Sequence, residues 1–175
     1  METQQMGRLI DDLLNLSRVS RADIQWAEID LTTLARSVAS RLLEENPQRS
    51  IEFIIQPGLT TEGDSRLLEV VLVNLFNNAV KFTGPRPHAR IEVGETDGDG
   101  SRRFFVRDNG VGFNMAYVHK LFGPFQRLHK TSEFPGTGIG LATVQRIVHR
   151  HGGRAWAEAE VGKGATLYFT LQEAL

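Results

Sequence analysis

Asn74, Asn78 and Lys81 stand four and three residues apart in the stretch LLEVVLVNLFNNAVKFT, residues 67–83. At about 100° per residue their side chains share roughly 60° of arc on one face of a helix. Amide oxygens can ligate Mg²⁺, a hard cation that enters sites together with substrate phosphates. A lysine ammonium adds a point charge for a phosphate. The opposite arc carries Leu68, Val71, Leu72, Leu75, Phe76 and Ala79, a broad apolar face that must be buried. On this stretch alone, an amphipathic helix with a solvated polar face is the simpler account.

Two glycine-rich stretches supply possible partners for that polar face. Asp108-Asn109-Gly110-Val111-Gly112 follows a β-rich run directly, which puts the carboxylate at a strand end. A carboxylate only accepts hydrogen bonds, so it suits an exocyclic amine such as that of adenine. The glycines let the backbone approach a ligand closely. Taken alone, Asp-Asn-Gly is more often just a turn. Gly136-Thr137-Gly138-Ile139-Gly140 opens a helix, where free amides and the helix dipole form a site for phosphate oxygens. It is not a Rossmann fingerprint, because its glycines are spaced GxGxG and no strand precedes them. Lys163 makes no Walker A loop, because it is followed by Gly164 and opens no helix.

These side chains need a scaffold, and the 175 residues are enough for one domain with a real core and an appended helix. Hydrophobic content of 41% and charged content of 23% are those of an ordinary globular protein. A net charge of −1 gives no argument for nucleic acid or for an anionic membrane surface. The absence of cysteine excludes disulfides, thiolate chemistry and Cys-based zinc sites. No apolar run is long enough to span a bilayer and the N-terminus is polar, so the expectation is a cytoplasmic domain.

Residues 1–22 read as one helix with a coiled-coil-like seam of Met6, Leu9, Leu13, Leu16 and Ser20, widened by Ile10 and Leu14. A helix this short must pack on the main domain or on another copy of itself, and a dimerising bundle is the favoured use. Residues 23–30 are a connector, short and partly extended. From Leu31 to residue 175 the pattern is α/β. Helices are expected over Leu31–Glu45, from Asp64 or Ser65 to Phe82, and over Leu141–His151. Strands are expected over Ile51–Ile55, Ile91–Glu95, Arg103–Asp108, Arg154–Glu158 and Ala165–Leu171. The helices should lie on one face of a mixed sheet, a two-layer α/β sandwich.

Together, and in this order, the motifs resemble the ATP-binding domain of sensor histidine kinases, a member of the Bergerat-fold ATPase superfamily. Asn74 to Phe82 resembles the N box and Asp108 to Gly112 the G1 box. Leu121-Phe122-Gly123-Pro124-Phe125 resembles the F box and Gly136 to Leu141 the G2 box. The run Pro124 to His129 is similar to the phytochrome-type branch. The resemblance implies ATP and Mg²⁺ as cofactors, with Asn78 as metal ligand and Asn74 supporting the metal or its water shell. Lys81 and Arg127 would reach the phosphates, and Phe82 would flank the base or ribose. Asp108, Gly110 and Gly112 would hold the adenine, while Thr166 would hold a water beside it. Gly136, Thr137, Gly138, Ile139, Gly140 and Leu141 would wrap the phosphates. The polar loop from about Gly123 to Pro135 would be a mobile lid.

The same resemblance makes Arg8 to Arg18 the second helix of a dimerisation and phosphoacceptor bundle. None of His88, His119, His129, His149 and His151 stands in the family's phosphoacceptor box. The chain therefore reads as part of a longer homodimeric kinase, whose phosphoacceptor helix and response regulator are its partners. The main rival is an ATP hydrolase of the same fold, but that class carries a glutamate general base where Asn74 stands, and an asparagine cannot take the proton. A related serine kinase or a nucleotide-binding regulatory module is the remaining alternative.

Overall fold

Hydrophobic periodicity and end caps divide the chain in the computed structural model, which describes residues 2–172. Residues 1 and 173–175, the outer ends of the segments read as 1–22 and 31–175, lie outside the described residues. Helix α1 (Glu2–Arg21) leads through strand β1 (Ala27–Asp30) into α2 (Leu31–Glu45). Strands β2 (Ile51–Ile55) and β3 (Thr60–Gly63) precede α3 (Ser65–Phe82). The hairpin β4 (Ala89–Gly98) and β5 (Ser101–Asp108) is followed by a 3₁₀ helix over Met115–Lys120. Helix α4 (Gly140–Arg150) and the hairpin β6 (Ala155–Glu160) and β7 (Gly164–Phe169) complete the described chain.

The five-stranded sheet runs β2-β4-β5-β7-β6, with β2 parallel to β4 and the other pairs antiparallel. Helices α2, α3 and α4 pack on one of its faces, giving the expected two-layer sandwich. Between the layers α3 buries Leu68, Val71, Leu72, Leu75 and Phe76 against Ile91, Val106 and Leu167 of the strands. Each such side chain, fully buried, is worth about 1.5–3 kcal/mol of transfer free energy.

The connector is partly extended as expected, but it holds a pairing that its sequence does not announce. Ala27–Asp30 pairs antiparallel with Thr60–Gly63 as a separate two-stranded sheet. Asp30 then caps α2 by accepting from the Thr33 amide at 2.9 Å. Asp64 caps α3 and also accepts from the Gln25 amide at 3.0 Å, tying the connector to the helix that carries the asparagines. Burial alone would raise the Asp64 carboxyl, but the Arg66 guanidinium and the amides of Gln25, Leu67 and Arg66 pull it down to about 2.

His151 completes this joint at the end of α4. Its buried Nε2 accepts from the Asp64 amide at 3.1 Å, and Nδ1 is 2.9 Å from the Ile147 carbonyl. That pairing requires the neutral Nδ1–H tautomer, and burial holds the imidazole below its usual range. Trp26 of the connector meets the ring edge-on at 5.3 Å.

Helix α1 lies along α4. Val19 is buried, Arg146 Nε donates to Ser20 Oγ at 3.1 Å, and the Arg150 guanidinium donates to the Val19 and Ala22 carbonyls. The covered face is Leu9, Asp12, Leu16 and Val19, whereas Met6, Ile10, Leu13 and Leu14 are exposed. The seam is thus rotated from the one read in the sequence, because docking on α4 turns Asp12 inward. Among the described residues no helix is long and apolar enough to cross a membrane.

Candidate functional site

The polar face of α3 opens on a cavity of about 460 Å³. Asn74, Asn78, Lys81 and Phe82 line one wall, Asp108 and Gly112 another, and Gly136, Thr137, Gly138, Gly140 and Leu141 a third. Three separately encoded stretches therefore converge on one space. Glu69 is outside it, paired with Arg41 of α2 at 2.5 Å.

Asp108 ends β5 opposite Ala165 of β7 and is 6% exposed. Burial pushes its carboxyl up to about 6, against the pull of the Gly110 and Ala165 amides. The Gly110 amide donates to Asp108 Oδ1 at 2.8 Å. A buried acceptor of this kind, floored by Phe113, Ala165 and Leu167, suits a flat base carrying an amine.

The opposite end is built for anions. Helix α4 begins without a side-chain cap, which leaves its first amides for a ligand. Lys81 is half-buried, and burial together with the charge of Arg127 holds its ammonium below the usual range. Asn74 Nδ2 donates to the Val70 carbonyl at 2.8 Å, which turns its Oδ1 toward Gly140. The oxygen donors of Asn74 and Asn78 fit Mg²⁺ arriving with phosphates, since that ion takes few protein ligands in such sites. Among the described residues no cluster of three acidic or histidine side chains could hold a metal by itself.

A loop closes over the cavity. Phe82, His129 and Phe134 form a ring cluster with centroids 5.1–5.2 Å apart, and Lys81 Nζ lies 4.6 Å from the Phe82 ring centre. The Arg127 guanidinium donates to the Phe134 and Gly136 carbonyls, so here its fork spans the loop itself. The Phe125 amide donates to the Gly138 carbonyl at 3.0 Å, joining loop to glycine turn.

Three of the residues expected at the site do not line the cavity. Thr166 is on the other face of the sheet, 3.3 Å from Arg107 Nε, because neighbouring strand residues point to opposite sides. Ala165 takes the place beside Asp108 that Thr166 was expected to fill. Ile139 turns into the core at 1% exposure. Gly110 packs its α-carbon against the Phe82 carbonyl, where a Cβ would stand 2.5 Å from the oxygen. Conversely, Arg8, Asp11 and Asp12 of α1 line the cavity without having been read as site residues, and Thr137 Oγ1 donates to Asp12 Oδ2 at 2.5 Å. Only the docking of α1 brings them there, and no local pattern encodes it.

Comparison with known proteins gives the family and the fold. The family described as histidine kinase-, DNA gyrase B-, and HSP90-like ATPase matches residues 63–175, and the chain belongs to it. Among its relatives is the methanogenesis regulatory histidine kinase FilI of Methanothrix harundinacea, 38% identical over 95% of this chain and 19% of FilI. Cyanobacterial phytochrome B of Nostoc sp. is 36% identical over 98% of the chain and 23% of its own length. The chain thus spans about a fifth of the length of these curated relatives. The structure of full-length ShkA in complex with AMPPNP superposes with a TM-score of 0.78 at 28% identity, covering 99% of this chain and 38% of that one. The nucleotide-free catalytic domain of the histidine kinase ThkA gives 0.70 at 28% identity, over 85% of this chain and 96% of that one.

Proposed function

We propose that the chain is the ATP-binding catalytic domain of a cytoplasmic two-component sensor histidine kinase, and that it holds Mg-ATP for transfer of the γ-phosphoryl group to a histidine. The observation that carries this reading is the single cavity shared by Asn78, Lys81, Asp108 and the Gly136–Gly140 turn in a chain of this family. The AMPPNP bound in the ShkA complex supports a nucleotide as the ligand.

Each residue has a task that its chemistry allows. Asp108 accepts the adenine amine and fixes the base. The amides at the start of α4, Lys81 and Arg127 bind and orient the phosphates, with Arg127 moving from the loop carbonyls to the terminal phosphate. Asn78, supported by Asn74, would hold Mg²⁺, which when bound neutralises charge on the phosphates. Phosphoryl transfer depends mainly on such positioning and electrostatic stabilisation. No general base for water stands at Asn74, and Glu69 is engaged by Arg41, so transfer is favoured over hydrolysis.

The acceptor histidine belongs to the phosphoacceptor helix of the bundle to which α1 contributes, in a homodimer that then passes the group to a response-regulator aspartate. The test is incubation with γ-labelled ATP, with and without a separate bundle fragment carrying a phosphoacceptor histidine box. Acid-labile label should appear on the added fragment alone. Label on one of the five histidines of this chain would overturn the reading.

A further inference from the structure

Arg86 lies outside every motif described above, yet its guanidinium reaches three backbone carbonyls on two other segments. Nε donates to Asn109 O at 2.8 Å, and Nη2 donates to Gly110 O at 3.1 Å and to Gly162 O at 2.5 Å. These oxygens belong to the turn after Asp108 and to the β6–β7 hairpin, 23 to 76 residues away in sequence. Further bonds cross the same junction. The Val111 amide donates to Phe82 O at 3.1 Å and the Gly162 amide to Val111 O at 2.7 Å.

One geometric detail gives this clamp a consequence for the site. The Asn109 carbonyl and the Gly110 amide are opposite edges of a single planar peptide. Arg86 holds the carbonyl edge, and the amide edge donates to Asp108 Oδ1 at 2.8 Å. Turning that plane would withdraw the donor from the carboxylate. A second carbonyl, that of Gly110, is fixed by the same guanidinium, so the turn is held across two successive peptides. A lysine could present only a point donor, whereas the planar fork serves several acceptors at fixed angles.

We propose that Arg86 is a positioning residue for nucleotide binding, acting through the Asn109–Gly110 peptide to aim the Asp108 carboxylate at the base. The proposal rests on the assignment of Asp108 as the adenine acceptor. Arg86 does not itself line the cavity. It sets the direction in which Asp108 accepts, and it joins that direction to the hairpin carrying Ala165 and Leu167 of the cavity floor.

The test is calorimetric titration of the full chain with Mg-ADP across pH 5 to 8, comparing wild type with Arg86→Ala, Arg86→Lys, Asp108→Ala and the double variant. Arg86→Ala should weaken binding by about tenfold, as expected when a part-buried hydrogen-bonding network loses its anchor. The pH at which affinity falls should move upward, because a carboxylate that loses an oriented amide is harder to ionise. The other charged or titratable groups lining the cavity, Arg8, Asp11, Asp12, Lys81, Arg127 and His129, are common to all the proteins compared. Arg86→Lys should recover part of the loss, and adding Arg86→Ala to Asp108→Ala should cost nothing further.

Unchanged affinity and pH midpoint in Arg86→Ala would overturn the proposal, as would additive losses in the double variant. Should Arg86→Ala not fold, Arg86→Lys carries the same test through its pH midpoint. Unchanged affinity in Asp108→Ala would instead overturn the adenine assignment, so the two failures are distinguishable.

Discussion

The two glycine-rich turns that frame the cavity are built on different principles. The Asp108–Gly112 turn is crowded by backbone at both of its glycines. Gly112 adopts φ +62° and its α-carbon abuts the Glu160 carbonyl, which a Cβ would approach to 2.0 Å. Arg86, Phe82 and the β6–β7 hairpin hold the rest of the turn. The Gly136–Gly140 turn meets side chains at Gly136, Thr137 and Gly140, and backbone at Gly138, where Phe125 and Gln126 of the loop pass. Lys81 Nζ stands over Gly136, Asn74 Oδ1 over Gly140, and Asp12 over Thr137. The proposed base end of the site is therefore set when the sheet forms, whereas the proposed phosphate end can adjust through rotamer changes and shifts of the loop. That difference suits a ligand with one rigid part and one part that must change hands.

Gly112→Ala is the severest way to break this contrast. A methyl group has no room there and the backbone conformation is disfavoured for any other residue. Urea unfolding should show a loss of about 3 kcal/mol or more. Asp108→Ala comes next, leaving the fold intact but, on the proposed assignment, the adenine amine unpaired. Titration with ADP should show a loss on the order of 1–3 kcal/mol in affinity.

A pH series separates stability from binding at the same residue. The Asp108 carboxyl is raised from 3.8 to about 6 in the folded protein, so between these values the folded state binds more protons than the unfolded. Its contribution to stability is present below pH 3.8 and is lost as the pH rises through about 6. Affinity for ADP should move the other way, rising by about tenfold from pH 5 to pH 7 as the acceptor ionises. Denaturant midpoints and titrations in the same buffers check both signs.

The smallest effects belong to the adjustable turn. Gly140→Ala would bring a methyl group within 2.7 Å of Asn74 Oδ1, the end of a side chain that can swing away. Stability should change by less than about 1 kcal/mol. The Mg²⁺ concentration needed for nucleotide binding should rise because Asn74 is displaced. Hydrogen exchange over residues 123–135 should slow when an ATP analogue is added, and equal protection with and without it would remove the loop from the mechanism.

Most of the scaffold was legible because its patterns are local. The apolar stripe of α3, its Asp64 cap and the run Ile51–Ile55 each follow from neighbours within a few residues. The pairing of β1 with β3 was missed because each is four residues long, so the alternation of Ala27–Asp30 is too brief to mark a strand and Thr60–Gly63 has none. At the site, the asparagine face and both glycine turns, which the structure brings to one cavity, were legible as local motifs. Thr166 was not, since strand register alone decides which of two adjacent residues faces inward, and it selected Ala165. Arg86 and Asp12 act through contacts that only the assembled fold creates.

The edge-on contact between Trp26 and His151 gives the protein a built-in optical reporter. The chain has two tryptophans, and they occupy unlike surroundings. Trp156 stacks on Tyr168 at 5.3 Å on the outer face of the sheet, under the Arg154 guanidinium. Trp26 is half exposed on the connector, against the one imidazole that must stay neutral for the joint to hold. An imidazolium quenches a nearby indole, so acid that charges His151 dims Trp26 as it loosens the Asp64 junction. With Trp156 replaced by phenylalanine, the remaining emission follows the connector between α1 and the nucleotide domain without any attached dye.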